Sequence, residues 1–213
     1  MVSRPVIYVL AGVNGAGKSS IGGHMLDQAG KDWYNPDQFA LAYSQLTGAP
    51  MDRSNAVAWT QGVEMLTEAL RRGTDFAFET TLGGRTIPAM LAKATKTHDV
   101  VIWFVGLNSA EKYLQRVAYR VAAGGHDIPE QKIRERYVNS LKNLIDLLPA
   151  VRTVVVYDNS ADANSENTVP DPLRVLIMED NRVTYPVKPV EFVRTPDWAK
   201  PIVEAAMVVT KII

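Results

Sequence analysis

Hydrophobic runs that suit buried strands alternate along this chain with amphipathic segments that suit helices. Val6–Ala11 is a continuous aliphatic and β-branched run, which is typical of a strand buried on both faces. Further strands are predicted over residues 33–35, 75–81, 99–107 and 153–157. Alternation of strands with helices favours a parallel sheet covered by crossover helices. The pattern therefore predicts an α/β fold, a three-layer α/β/α arrangement around a mainly parallel five-stranded sheet.

The helical segments show apolar residues at helical spacing on one face. Helices are predicted over residues 18–29, 55–72, 109–123 and 129–148. The last two bracket a glycine-rich loop, so that residues from about 109 to 148 form a candidate lid. An extension of about 161–213 contains a predicted β-hairpin and a short C-terminal helix. With no repeat and no long linker, we expect one domain over residues 1–213.

Composition narrows the class of protein. The 213 residues include 23 Lys and Arg against 23 Asp and Glu, and no cysteine. A net charge of zero gives no electrostatic reason for a nucleic-acid or membrane partner. The missing cysteines exclude disulfides, thiolate metal sites and a cysteine nucleophile. No apolar run approaches the roughly 18 residues of a membrane span, and we expect a soluble, cytoplasmic protein.

A phosphate-binding loop follows the first predicted strand. Residues 12–19, GVNGAGKS, fit the motif G-x-x-x-x-G-K-[ST] without a mismatch and lie between a predicted strand and a predicted helix. In such loops, backbone N–H groups and a helix N-terminus bind phosphate oxygens. Lys18 then reaches the β and γ phosphates, and the Ser19 hydroxyl is a Mg²⁺ ligand. The predicted residues for binding ATP and Mg²⁺ are Gly12, Asn14, Gly15, Ala16, Gly17, Lys18, Ser19 and Ser20.

The chain lacks other signatures of P-loop proteins. It contains no guanine-reading N-K-x-D sequence, and the LGGR sequence at 82–85 is a poor match to the signature of ABC-type ATPases. It is also short for a helicase. These absences leave the small-molecule and nucleotide kinases, in which catalysis depends on positioning, Mg²⁺ and positive charge around the transferred phosphoryl group.

Three carboxylates follow predicted strands, where open α/β sheets bind ligands. Asp37, in an N-P-D sequence, suits a general base for an acceptor hydroxyl, although such a turn also suits a helix cap. Glu79 is suited to bind Mg²⁺ through a water molecule or to accept hydrogen bonds from substrate hydroxyls. Asp158 ends a hydrophobic run in the manner of a metal-binding Walker B acid. We place Asp158 behind the other two, because it follows the last strand of the alternating pattern.

The candidate lid is basic although the whole chain is neutral. Residues 111–142 contain seven Lys and Arg against four acidic residues. In kinases, a segment of this kind closes over the nucleotide and brings arginine to the transferred phosphoryl group. Any one arginine also fits an ordinary solvated helix surface. His126, in the loop of the lid, suits loop stabilisation or phosphate contact better than metal binding, because no second ligand lies at a suitable spacing.

These motifs together resemble the zeta-toxin-like branch of P-loop kinases. The resemblance covers about residues 5–160 and rests on GVNGAGKSS, NPD, FETT with its glycine loop, and RVAYRVAAGGHDIPEQKIRERYVNSLKNL. It implies a P-loop kinase-like fold and an ATP- and Mg²⁺-dependent kinase. The implied acceptor is a sugar hydroxyl of a UDP-activated amino sugar such as UDP-N-acetylglucosamine. Residues 161–213 lie outside the resemblance.

The resemblance also implies roles for individual residues. Lys18 would stabilise the phosphates, and Asp37 would be the general base. Glu79 and Thr81 would contact the sugar nucleotide, and Arg85 in the following loop is a further candidate for substrate binding.

Lid arginines would neutralise charge in the transition state. Arg120 and Arg136 are our choices, with Arg116 and Arg134 as the alternatives. Three questions remain open: whether the kinase acts on another small molecule, whether the protein is a regulatory ATPase without an acceptor, and whether an antitoxin protein is its partner.

Overall fold

The computed structural model describes residues 4–28, 30–125, 127–163 and 168–210. Within these ranges the chain forms six strands and eight α-helices. The strands are β1 (Val6–Ala11), β2 (Phe76–Thr80), β3 (Asp99–Gly106), β4 (Thr153–Asp158), β5 (Leu173–Glu179) and β6 (Arg182–Tyr185). The helices are α1 (Lys18–Gln28), α2 (Pro36–Thr47), α3 (Met51–Arg72), α4 (Thr86–Ala94), α5 (Ala110–Ala122), α6 (Glu130–Leu147), α7 (Pro189–Val193) and α8 (Lys200–Thr210), with a 3₁₀ turn at Asp197–Ala199.

The strands form one sheet in the order β2-β1-β3-β4-β5-β6. Its first four strands are parallel, and β5 and β6 add to β4 as an antiparallel hairpin. The expected mainly parallel α/β fold is confirmed, with a strand count of six instead of five. The strand predicted over 33–35 is wrong, because only Tyr34 pairs with β2, in an isolated bridge to Phe78. Pro36 ends this pairing, since it has no N–H to donate.

Helices cover both faces of the sheet. On one face, Ile7, Val9 and Ala11 of β1 are fully buried in a core that includes residues of α3, α4, α6 and α8. On the opposite face, Leu10 packs against Gly22 of α1 so closely that a Cβ at Gly22 would lie 2.1 Å from the Leu10 Cδ1 atom. Since successive residues of a strand point to opposite faces, an uninterrupted apolar strand supports this three-layer arrangement.

The turn before α2 places the first residues of that helix. The Asn35 side chain accepts hydrogen bonds from the backbone N–H groups of Asp37 at 2.9 Å and Gln38 at 3.2 Å. Asn35 is therefore the helix cap, and Asp37 lies in the first turn of α2. The next helix, α3, begins at Met51, four residues before the predicted start at 55. The helices α2 and α3 pack together beside β2.

The C-terminal extension is continuous with the main sheet. The Trp198 indole N–H donates to Asp158 at the end of β4, at 3.3 Å. Its ring covers Gly106 at the end of β3, where a Cβ would lie only 2.1 Å from the Trp198 Cη2 atom. The hairpin pairs with the β4 edge of the parallel strands, and α8 packs against β5 and β6. Within the part of the chain that the structure describes, no helix has both the length and the apolarity that a membrane crossing needs.

The contact between Gly106 and Trp198 leads to a stability prediction. Gly106→Ala forces a methyl group into a rigid, hydrogen-bonded ring, and we expect it to lower the free energy of unfolding by about 1–3 kcal/mol. Urea denaturation measures this change. The control is Gly84→Ala, because a Cβ at Gly84 meets nothing within 4 Å. Equal effects of the two substitutions would contradict the proposed packing.

Candidate active site

The phosphate-binding loop turns sharply between β1 and α1. Gly12 has φ +140°, and a Cβ there would lie 2.2 Å from the carbonyl oxygen of Val105 in β3. A larger residue would both strain this backbone and push the loop away from the sheet. Asn14 and Lys18 are 7% and 5% exposed. The loop is thus packed into the body of the protein, with the N-terminus of α1 behind it.

Glu79 connects this loop with the carboxyl end of β2. Its carboxylate lies 3.2 Å from the Lys18 ammonium and accepts hydrogen bonds from the Ser19 hydroxyl at 2.8 Å and the Asn35 amide at 3.3 Å. Glu79 is only 7% exposed, and a buried carboxylate needs such donors to offset its lost hydration. The pairing of Leu10 with Glu79 places it directly beside the P-loop strand.

The donors around Ser19 fit a magnesium ion. The Ser19 hydroxyl and the Glu79 carboxylate are hard oxygen ligands on adjacent elements. In the described ranges, no group of three His, Asp or Glu side chains could hold a metal ion. Mg²⁺ sites commonly combine one or two protein carboxylates with substrate phosphates and several waters.

Asp158, the alternative candidate for binding the metal, forms hydrogen bonds with other residues. Its Oδ1 atom accepts hydrogen bonds from the Trp198 indole and the Ser160 backbone N–H at 3.3 and 3.2 Å. The Ser160 hydroxyl also donates to it. Because β2 pairs directly with β1, which leads into the P-loop, whereas β3 separates β4 from β1, it is Glu79 that contacts Lys18 and Ser19 of the loop.

Asp37 reaches the same region from the first turn of α2. Its side chain is 40% exposed, and its Oδ2 atom lies 3.6 Å from the Arg120 Nη1 atom of α5. The carboxylate is therefore accessible to a ligand and is oriented by an arginine of the candidate lid.

Arg136 of α6 is docked against the P-loop. Its Nη1 atom donates to the Asn14 side-chain oxygen at 2.7 Å. Burial lowers the pKa of the Arg136 guanidinium, while the charges of Asp37 and Glu135 act to raise it. A Cβ at Gly83 would lie 2.8 Å from the Arg136 Cγ atom, so this glycine leaves room for the arginine beside the loop that follows β2.

The two alternative lid arginines have other partners. Arg134 makes 2.8 Å ion pairs with Glu111 and Glu130 on the exposed surface, and its hydrogen bonds to these residues raise its pKa. Arg116 donates to the backbone carbonyl oxygens of Asn159 at 2.7 Å and Ala161 at 3.2 Å. Arg120 is therefore the lid arginine that pairs with Asp37, and Arg136 is the one that bonds to a side chain of the P-loop. His126 lies outside the described residues.

The loop after β2 has an unusual backbone. Leu82 has φ +55°, a conformation that non-glycine residues adopt only at a cost. The Asn143 side chain of α6 donates to the carbonyl oxygens of Leu82 at 2.7 Å and Gly84 at 2.9 Å. Asn143 thereby holds Thr81 and Arg85 beside the site, a role that no motif indicates.

A cavity of about 590 Å³ brings half of the predicted site residues together. The predicted residues on its wall are Asn14, Lys18, Asp37, Glu79, Thr81, Arg85 and Arg136. Arg120 contacts the site through Asp37 instead. Sequence reasoning missed Trp59 and Lys132, which also line the cavity. It also missed the link from Asn35 to Glu79. A tryptophan or a surface lysine carries no motif signal, but the N-P-D sequence marks the cap position.

A P-loop that opens α1, a carboxylate on the neighbouring strand and an arginine-bearing helix over both define a P-loop kinase fold. The family model described as Zeta toxin matches residues 1–168. The chain therefore belongs to the zeta toxin family. Family and fold together indicate a nucleotide-binding phosphotransferase.

Solved structures and one curated relative are similar to this chain. A chain of the AvrRxo1-ORF1:-ORF2 complex with ATP matches with a TM-score of 0.64 and 15% identity, covering 92% of this chain and 65% of that one. The PezAT toxin-antitoxin system of Streptococcus pneumoniae matches with a TM-score of 0.53 and 16% identity, covering 99% and 85%. An uncharacterized protein of Haemophilus influenzae is 27% identical over 138 residues, or 64% of this chain and 94% of that protein. The chain thus spans just under two thirds of the length of the AvrRxo1 chain.

The position of Glu79 generates a prediction about Mg²⁺. We expect Glu79→Gln to raise the Mg²⁺ concentration needed for ATP binding by about 10- to 100-fold. Binding of metal-free ATP should stay the same or improve, because a negative charge beside the phosphates is removed. Titration calorimetry with and without EDTA separates the two effects. Asp158→Asn is the control and should leave the Mg²⁺ requirement unchanged; the opposite ranking would assign the metal to Asp158.

Proposed function

We propose that this protein transfers the γ-phosphoryl group of ATP to a hydroxyl group of a small molecule bound in the 590 Å³ cavity. The observation that carries the proposal is that Asp37 and Lys18 line one cavity, one as a candidate base and the other within the P-loop. Pockets of this volume suit ligands of nucleotide or drug size.

In the proposed reaction, the acceptor oxygen attacks the γ-phosphorus of ATP. The bond between the γ-phosphorus and the β,γ-bridging oxygen breaks, and ADP leaves with the electron pair. Asp37 takes the proton of the attacking hydroxyl, which raises the nucleophilicity of its oxygen as the new bond forms. The products are a phosphate ester and ADP.

Positive charge stabilises the transferred group. Lys18 binds the phosphates, Arg136 approaches from α6, and Arg120 orients Asp37. Mg²⁺ supplies further charge on the phosphates when bound, and Ser19 and Glu79 are the residues that would hold it. The hydrogen bond to Asn14 holds Arg136 beside the P-loop in this structure.

For the acceptor we propose a UDP-activated amino sugar such as UDP-N-acetylglucosamine. The resemblance of the motifs supports this choice, and so does the charge on the cavity wall. Arg85 and Lys132 line the cavity, and neither side chain makes an ion pair within the described part of the chain. They are suited to bind the acceptor's own phosphates, while Thr81 on the same wall is suited to bind a sugar hydroxyl.

Asp37→Asn tests the proposed base. We expect a loss of phosphoryl transfer of about 100-fold or more, since general bases contribute roughly 10²–10⁴-fold, with ATP binding preserved. The assay incubates the protein with Mg-ATP and a panel of nucleotide sugars and detects the gain of one phosphate by mass spectrometry. ATP hydrolysis that is equal in both proteins, with no sugar modified, would instead indicate a regulatory ATPase.

The two arginines of α6 offer a matched comparison. Arg136→Ala should lower the transfer rate by about 100-fold or more, because the variant lacks the positive charge that stabilises the transferred phosphoryl group. Arg134→Ala should change it by no more than about twofold, because exposed ion pairs contribute little. Single-turnover kinetics measure both. Similar losses in the two variants would contradict the assignment of Arg136.

An inhibitory protein partner belongs to the same proposal. PezAT is named as a toxin-antitoxin system, and the AvrRxo1 structures contain two proteins. Co-expression of this chain with the product of a neighbouring gene, followed by purification, tests for a stable complex.

A further inference from the structure

An exposed tryptophan lines the candidate acceptor cavity. Trp59, on α3, is 53% exposed, although its side chain forms part of the cavity wall. Of the other aromatic residues on this wall, Phe78 is 3% exposed and Tyr34 packs against α3. Trp59 is thus the aromatic ring on this wall with most surface left for a ligand.

The part of α3 around Trp59 presents a mixed wall. Asn55 lies one turn before Trp59, and Val63 lies one turn after it, so all three share a helix face and line the cavity. Within the described residues, the Asn55 side chain makes no hydrogen bond. An amide can both donate to and accept from a ligand. A flat apolar surface and a polar edge group therefore lie side by side.

Tyr34 fixes this wall relative to the candidate base. Its hydroxyl donates to the Ala58 carbonyl oxygen of α3 at 2.6 Å. A Cβ at Gly62 would lie 2.9 Å from the Tyr34 ring, so the helix approaches closely at this point. Since Tyr34 precedes Asp37 by only three residues, the α3 wall and the general base share one rigid attachment.

We propose that Trp59 and Asn55 form a subsite for a planar nucleobase of the acceptor. Trp59 stacks on the face of the base, and the Asn55 amide forms hydrogen bonds with the polar edge of the base. This inference rests on the proposed function and deepens it, because it assigns recognition of the base to α3 and recognition of phosphate to Arg85 and Lys132. It implies that the site selects a nucleotide-linked sugar over the same sugar phosphate without a base.

The test compares UDP-N-acetylglucosamine with N-acetylglucosamine 1-phosphate, which lacks the uridine. Trp59→Ala should raise the KM for the UDP-sugar by roughly tenfold, the range expected for loss of one base–aromatic stack. The KM for the sugar phosphate, the KM for ATP and kcat should change little. Trp59→Phe should retain most of the affinity, and Asn55→Ala should raise the KM for the UDP-sugar several-fold. The control is Leu46→Ala, since Leu46 is 87% exposed and is not part of the cavity wall.

Equal KM changes for the two acceptors, or no change for either, would overturn the subsite while leaving the kinase proposal intact. If the wild-type protein phosphorylates neither acceptor, the sugar-nucleotide proposal fails, and a binding measurement decides on the subsite. With ADP filling the P-loop site, UMP should quench tryptophan fluorescence in the wild-type protein and not in Trp59→Phe. Absence of quenching in the wild type, or equal quenching in both, would overturn the subsite.

Discussion

The buried carboxylate of Glu79 is the constraint on which the arrangement of the site depends. A negative charge withdrawn from water costs several kcal/mol unless donors surround it. Here the donors come from separate parts of the chain: Lys18 and Ser19 from the start of α1, and Asn35 from the turn before α2. Satisfying one carboxylate therefore fixes the P-loop and the α2 turn against β2, and the cavity and its lid arginines take their positions from these elements.

The parts of the fold that were predicted well are those with local signals. The apolar run of β1, the glycines of the P-loop and the start of α1 at Lys18 follow one another without interruption, and the structure has them as expected. The short segment at 33–35 failed as a strand because three residues contain too little pattern, and a helix cap and a proline decide their conformation. The sequence predicts the hairpin but not its pairing with β4, because the pairing of distant segments produces no local sequence signal.

The same holds for the site: local sequence signals identify candidate residues, and contacts between distant segments decide which of them lie together. Glu79 and Asp158 both end apolar strands, and only the strand order places Glu79 beside the P-loop. Arg116 and Arg120 share a helix face. Arg116 nevertheless donates a hydrogen bond to the carbonyl oxygen of Asn159, after β4, whereas Arg120 forms an ion pair with Asp37. From the sequence alone, Trp59 is expected in the core or half-buried at the surface, because a hydrophobic pattern cannot distinguish the wall of a cavity from the wall of the core. These choices depend on contacts across the chain.

The Asn35 side chain contacts two elements with its two ends: the oxygen caps α2, and the amide nitrogen bonds Glu79. One short, uncharged side chain thus connects Glu79 beside the P-loop with the turn that carries Asp37, the proposed base. Tyr34 joins the α3 wall to the same segment through the backbone carbonyl of Ala58, so the side chains of that wall can differ without altering the attachment. Substitutions on the α3 wall or in the loop after β2 can therefore change the specificity of the proposed acceptor site while Lys18 and Asp37 keep their relative positions.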